Sequence, residues 1–305
     1  MKSSSGGQRN ASRRGFLKGA ATVAGAVAGV PGTSDAFDIE ALFQQHFQEL
    51  SEDEIGRVLE RLERKYEEQY GKPFRVDAVG PNDEVIFGYG LDISRCIGCR
   101  RCVYACVEEN NQSRDPQIHW IRVLEFEREE VSRRIDFEKG KPFYDHEEVP
   151  APGKVYIPVA CQQCDEPECV RACPTTATWK EPDGIIVIDY DWCIGCRYCM
   201  AACPYGARHF NWAEPEVPAD EVNTETHYLG NRPRSHGVVE KCTWCIQRTR
   251  NGRYPACVEA CPVGARKFGN MLDPNSEIRY LLEHKRTFVL KAELDTRPKF
   301  FYFYG

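Results

Sequence analysis

The chain has 305 residues, enough for one large domain or two closely joined ones, and its 46 acidic against 40 basic side chains give a net charge of −6. An acidic chain is a poor direct partner for nucleic acid or anionic lipid. No stretch approaches the roughly 20 apolar residues that a spanning helix needs, so no direct membrane span is expected and any attachment must come through a partner.

In chain order, the first feature is Ser12-Arg13-Arg14-Gly15-Phe16-Leu17-Lys18, which reads as a twin-arginine export motif. A weakly apolar stretch, Gly19 to Val30, and a Ser-Asp-Ala site at 34–36 follow it, so residues 1–36 are expected to be a signal peptide cut after Ala36. That segment carries a net +4, and its removal leaves 269 residues at −10. The route carries proteins already folded, which predicts a mature protein in the periplasm or on the outer face of the cytoplasmic membrane. Residues 37–84 then form an N-terminal helical extension, a pair of amphipathic helices between Asp38 and Gly71. In the second helix Ser51 and Glu54 make a capping box, Ile55, Val58, Leu59, Leu62, Tyr66 and Tyr70 line one face, and Gly71 ends it. That face is expected to bury on the protein's own core, with docking on a partner chain as the alternative.

Residues 85–270 are organised by cysteine. Sixteen fall into four groups of four with none left over: Cys96, Cys99, Cys102, Cys106; Cys161, Cys164, Cys169, Cys173; Cys193, Cys196, Cys199, Cys203; and Cys242, Cys245, Cys257, Cys261. The first and third groups have the spacing C-x2-C-x2-C-x3-C, and Pro174, Pro204 and Pro262 directly follow the fourth cysteine of groups two, three and four. In the bacterial ferredoxin run of this spacing, three thiolates hold one [4Fe-4S] cluster and the fourth reaches another. Four groups therefore predict four [4Fe-4S] clusters in two pairs, with all sixteen cysteines as metal ligands and no catalytic residue. The clusters and their thiolates would add a charge of about −8 that no residue count shows. Backbone N–H groups at Gly98 and Gly195 are expected to offset part of it, because glycine lets the chain approach sulfur closely. Arg95, Arg100, Arg101, Arg171, Arg197, Lys241 and Arg248 stand beside ligands as candidates for tuning potentials. Trp192, Trp244 and Tyr198 are expected to pack the cluster pockets, and His119, His209 and His236 to be structural.

Short strands punctuate the cysteine loops at Tyr89–Ile93, Gln117–Phe126, Lys154–Val159, Thr176–Lys180 and Ile185–Asp189, the last two forming a hairpin about Glu181-Pro182-Asp183-Gly184. Gly206-Ala-Arg-His-Phe and Gly264-Ala-Arg-Lys-Phe each follow Cys-Pro by one residue, the mark of a duplicated unit. Asn110–Pro152 and Asn211–Gly237 are polar and read as solvated insertions. Residues 271–305 hold a helix begun by Asp273-Pro274, a strand near Phe288–Leu290, and the aromatic terminus Phe300-Phe-Tyr-Phe-Tyr304, expected either as an edge strand on the core or as an anchor in a partner.

Two other readings of the cysteines are weaker. The fourth group in isolation could imitate a zinc ribbon. A disulfide framework suits an exported chain with an even cysteine count, but it gives no reason for this spacing. No G-x-G-x-x-G, Walker loop, H-E-x-x-H or G-x-S-x-G is present, and the seven histidines show no metal spacing.

The C-x2-C-x4-C-x3-C-P second group and the Lys-Cys-x2-Cys-x11-Cys-x3-Cys-Pro fourth group make residues 88–270 resemble the four-cluster iron–sulfur subunits of membrane oxidoreductase complexes. That family includes the subunits of dimethyl sulfoxide, polysulfide and tetrathionate reductases, and of nitrite reductase, hydrogenase and sulfite-reductase-linked complexes; an export signal most resembles the last three. Val107 stands where the other groups have proline. The resemblance implies an α+β fold of two ferredoxin-like [4Fe-4S] dicluster modules with insertions and an N-terminal helical pair. It pairs the first group with the fourth and the second with the third. Cys96, Cys99, Cys102 and Cys261 would hold one cluster, and Cys242, Cys245, Cys257 and Cys106 its neighbour. Cys161, Cys164, Cys169 and Cys203 would hold a third, and Cys193, Cys196, Cys199 and Cys173 the fourth. It also implies two partners: an integral membrane quinone-site subunit, and a catalytic (molybdenum or hydrogenase) or multihaem cytochrome subunit. A freely diffusing polyferredoxin and a maturation or scaffold protein with structural clusters are the rival readings.

Overall fold

The computed structural model describes residues 51–305 apart from 132–134 and 137–138, so the twin-arginine segment and the first of the two expected helices lie outside the described residues. The elements in chain order are α1 (Glu52–Tyr70), β1 (Arg75–Asp77), β2 (Phe87–Asp92), α2 (Arg101–Glu109), β3 (Arg122–Glu127), α3 (Arg128–Val131), β4 (Lys154–Val159), α4 (Glu168–Arg171), β5 (Thr178–Lys180), β6 (Ile186–Ile188), α5 (Tyr198–Ala202), β7 (His209–Phe210), β8 (Glu225–His227), β9 (Val239–Glu240), α6 (Ile246–Thr249), α7 (Ala256–Glu259), β10 (Arg266–Asn270), α8 (Glu277–His284), β11 (Thr287–Phe288) and β12 (Phe300–Phe303). Short helices follow cysteine loops and short strands follow Cys-Pro turns, giving the α+β composition expected from the sequence.

α1 forms for local reasons. The Ser51 side chain accepts from the Glu54 N–H, the Glu54 carboxylate accepts from the Ser51 N–H at 3.0 Å, and Gly71 closes the helix in the left-handed region at φ 67°. Leu62 and Tyr66 on its apolar face bury against Phe74, Val76 and Val222, and the Tyr66 hydroxyl donates to Pro233 O at 3.0 Å. The protein's own core thus covers this face.

Part of that cover comes from Asn211–Gly237, through Val222 and Pro233, which corrects the expectation of a solvated insertion. Thr226, His227, Asn231, Arg232 and Arg234 are buried. The segment reads as a loop because its asparagines bond backbone directly instead of joining a ladder: Asn231 Nδ2 donates to Glu109 O and Glu225 O at 3.1 and 3.0 Å. The start of Asn110–Pro152 is corrected in the same way. Asn110, Asn111, Gln112 and Ser113 are all buried, and Asn111 Nδ2 donates to Asn223 O and Asn231 O, so the two insertions lock together.

The main sheet has the order β10-β2-β12-β11. β2 runs antiparallel to β10 (Leu91 opposite Arg266) and parallel to β12 (Tyr89 opposite Phe300). Gly88 and Gly90 admit α8, since a side chain at either would collide with Met271 or Leu281. Phe87, Tyr89 and Leu91 alternate to the other face and pack with Phe268, Trp244 and Phe300, the Tyr89 and Phe300 rings stacked at 4.5 Å. The aromatic terminus is therefore neither an edge strand nor an exposed anchor: β12 lies between β2 and β11, with Phe300, Tyr302 and Phe303 buried. Two hairpins, β3–β4 and β5–β6, flank the cysteine loops, and Lys154–Val159 forms β4 with its expected bounds.

Candidate metal centre

The cysteine loops repeat two turn designs. In groups one and three, Gly98 and Gly195 sit at φ 78° and 71° between the first two cysteines. A Cβ there would lie 2.5 Å from the Tyr156 ring or 2.2 Å from Gly237 O, so only glycine fits, and the freed N–H groups face the Cys96 and Cys193 sulfurs. Arg100 and Arg197, at φ 56° and 65°, then turn the chain into α2 and α5. Groups two and four turn at Gln163 and at Trp244-Cys245, also at positive φ, and enter α4 and α7 through Pro167 and Pro255.

The structure brings the sixteen cysteines together across groups. Cys96, Cys99, Cys102 and Cys261 line one cavity with Gly98, Pro262 and Arg266. Cys106 leaves its own group and has Cys242, Cys245 and Cys257 as electrostatic neighbours. Cys164 has Cys161, Cys169 and Cys203, while Cys193 has Cys173 and Cys196, and Cys199 has Cys193 and Cys173. The fourth cysteine of each group therefore sits with the other group of its pair. Cys102 of the first set also has Cys257 of the second as an electrostatic neighbour, and Cys242 of the second has Cys161 of the third. All sixteen cysteines carry free thiols.

The surroundings suit thiolates bound to a cluster. Burial pushes the Cys96 and Cys242 thiols up to about 12, and burial followed by the repulsion of Cys242, Cys245 and Cys257 pushes Cys106 well up. Donors are aimed at sulfur: the N–H groups of Val239, Trp244 and Ala265 reach Cys193, Cys242 and Cys261 at 3.4, 3.4 and 3.3 Å, and Gln112 Nε2 reaches Cys106 at 3.1 Å. Such bonds orient ligands and favour their charged form. Cys106, Cys242, Cys245 and Cys257 are all buried, whereas each other set has at least two partly exposed cysteines.

The cations nearest sulfur were legible only through the repeat. Arg208 and Arg266 occupy the same place in the two Gly-Ala-Arg echoes and are each 4% exposed. Arg208 donates to Cys169 Sγ at 3.0 Å, and Arg266 to Cys102 Sγ at 3.1 Å. Burial opposes their charge, and the neighbouring cysteine sulfurs more than offset it. Of the sequence candidates, Lys241 is buried beside Cys242, its Nζ donating to Cys242 O at 2.9 Å and to Ile186 O. Arg248 and Arg171 are instead paired with carboxylates, Arg248 with Glu109 and Glu259, Arg171 with Glu166 and Glu168. Arg197 stacks over Trp212. Trp244 packs in the core as expected, but Tyr198 points outward and is 63% exposed, because α5 turns that side of the helix to solvent.

Two comparisons bear on this geometry. One 4Fe-4S dicluster domain model matches residues 95–177, and a second matches 153–233 and 228–271. The chain is 41% identical over 222 residues to a dimethyl sulfoxide reductase iron–sulfur chain of Halobacterium salinarum, covering 72% of this chain and 79% of that one. It is 37% identical to the iron–sulfur cluster-binding chain of menaquinone reductase from Nitratidesulfovibrio vulgaris, over 72% of this chain and 89% of the relative. It is 32% identical to a selenate reductase chain of Mesobacillus selenatarsenatis, over 96% and 97%. The chain belongs to the family of 4Fe-4S dicluster iron–sulfur subunits of oxidoreductase complexes, which includes those of the dimethyl sulfoxide and tetrathionate reductases.

Proposed function

We propose that the chain holds four [4Fe-4S] clusters and acts outside the cytoplasmic membrane as the electron wire between a quinone-site membrane subunit and a catalytic or haem subunit. The ligand sets are Cys96, Cys99, Cys102, Cys261; Cys106, Cys242, Cys245, Cys257; Cys161, Cys164, Cys169, Cys203; and Cys173, Cys193, Cys196, Cys199. The clusters supply one-electron chemistry with little rearrangement. The polypeptide supplies burial, N–H donors to sulfur and fixed charge, and needs no substrate pocket of its own.

The observation that carries the reading is the continuity of the four sets: Arg266 and Tyr89 bridge Cys102 of the first to Cys257 of the second, Cys242 of the second has Cys161 of the third as an electrostatic neighbour, and Arg208 touches Cys169 of the third with Cys199 of the fourth nearby. A buried second set makes sense inside a wire, where no partner needs to reach it. Export rests on the twin-arginine motif at residues 12–18. The test is mild-detergent purification of the tagged protein from membranes, with co-purifying chains identified and haem and molybdenum assayed. A multispanning quinone-site chain together with a catalytic or haem chain is expected, with the oxidised clusters reduced, and so bleached, on addition of a quinol. Recovery alone from the soluble fraction, with no response to quinol, would overturn the wire in favour of a diffusing carrier.

A further inference from the structure

Each place where one cysteine set adjoins the next holds a buried cation. Between the first two sets, Arg266 donates one N–H to Cys102 Sγ at 3.1 Å and another to the Tyr89 hydroxyl at 3.0 Å. That hydroxyl lies 3.3 Å from Cys257 Sγ, and with Arg266 donating to it, its own proton is free for the sulfur. A continuous hydrogen-bonded path therefore runs from a ligand of one set to a ligand of the next. Between the second and third sets stands Lys241, with Cys161 and Cys242 among its electrostatic neighbours. Gln163 fixes the same junction, donating to Cys242 O at 2.8 Å and accepting from the Ile186 N–H at 2.7 Å. Between the third and fourth sets stands Arg208, bonded to Cys169 and also lying against Cys199.

Among the described residues none of these three cations has a carboxylate within 4.0 Å, whereas the buried Arg234 and Arg250 do. A buried ion without a counter-ion costs several kcal/mol. Three such ions, one per junction, with two bonded to a ligand sulfur and the third to the carbonyl of a ligand, are not explained by packing.

Resting on the four-cluster reading above, we propose that Arg266, Lys241 and Arg208 are positioning residues that hold one positive charge at each of the three inter-cluster junctions, and so raise the potentials of both flanking clusters. The physical reason is that reduction adds a negative charge to a site whose neighbour is already anionic. In a poorly screened interior that repulsion is large, and a cation shared by both sites lowers it for each. Because the charge is shared, removing it must act on two clusters and spare the others.

The test is EPR-monitored redox titration of anaerobically purified holoprotein carrying Arg266→Gln, Lys241→Gln or Arg208→Gln, after iron and spin counts on the wild type. A wild-type count below four clusters defeats the four-cluster reading itself and is distinguishable from any result on potentials. With four clusters present, each neutral variant is expected to weaken reduction of its two flanking clusters by about tenfold or more, which is 59 mV for a one-electron couple. The remaining two should move less than twofold, and so should all four in Arg171→Gln, which removes an exposed, carboxylate-paired arginine near ligands in sequence. Flanking shifts below twofold, or equal shifts at all four clusters, would overturn the proposal. Where a neutral variant loses iron, Arg266→Lys, Arg208→Lys or Lys241→Arg decides. Retained clusters at wild-type potentials support the charge, and iron loss from both variants points to shape and contradicts it.

Discussion

Buried cations in two regions of this protein are balanced in opposite ways. Around segment 211–237 and the turn between β5 and β6 they meet carboxylates: Arg234 lies 2.6 Å from Glu240, Arg232 3.6 Å from Asp189 and Arg250 3.0 Å from Asp183. In the cysteine core, Arg208 and Arg266 meet sulfur, and Lys241 meets carbonyl oxygen beside a ligand. The first region is complete as polypeptide, and it clamps α1 onto the core. The second carries charge that only bound thiolates can balance, so its folding and its iron are linked.

The largest effect expected from that difference is on iron removal. Stripping the clusters leaves three buried cations without counter-charge at several kcal/mol each. The apo chain should lose its cooperative thermal transition, followed by anaerobic calorimetry, and should become protease-sensitive between residues 160 and 270. An apo chain that melts like the holoprotein would break the comparison.

Asp183→Ala probes the other region. It removes one of the two carboxylates on Arg250, which is as deeply buried as Asp183 itself and keeps Glu181 at 3.3 Å. A loss of about 2–3 kcal/mol is expected by denaturant titration, with the cluster EPR of the folded protein unchanged. Altered cluster spectra would show that the two regions are not separate.

A smaller effect concerns His227, which is buried with Nδ1 accepting from the Leu229 N–H at 3.1 Å and Nε2 donating to Val79 O at 2.9 Å. Burial lowers its pKa to about 4, so its 3.9 Å approach to Asp77 is not an ion pair at neutral pH. The folded value lies below the unfolded one near 6.5, hence the unfolded chain binds the extra proton. Stability is full above about pH 6.5 and falls towards pH 4, by about 2 kcal/mol at pH 5. Melting across pH 7 to 5 should be steeper for the wild type than for His227→Gln, and parallel curves would refute the assignment. The smallest effect is Ser51→Ala, expected to cost about 1 kcal/mol through the α1 cap with iron content unchanged.

The sequence made the ligand loops legible because cysteine spacing is local, and it made α1 legible because a capping box, an apolar stripe and a terminal glycine are all local signals. β12 was harder, since an aromatic terminus has the same pattern whether it ends a sheet or lies inside one, and only the distant pairing with β2 decides. The insertions were misjudged because buried asparagine and arginine look like loop composition until their backbone partners, more than a hundred residues away, are known. Arg208 and Arg266 were visible as members of a repeat but not as sulfur donors. Adjacency to a cysteine favoured Arg171 and Arg248 instead, both of which turned to carboxylates.

The central claim, four clusters on sixteen thiolates, is tested most directly by iron and sulfide analysis with Mössbauer spectroscopy of anaerobically purified holoprotein. About 16 iron atoms per chain, all with [4Fe-4S] parameters, is the predicted result. About 8, or a fraction of iron in mononuclear tetrathiolate sites, would contradict it.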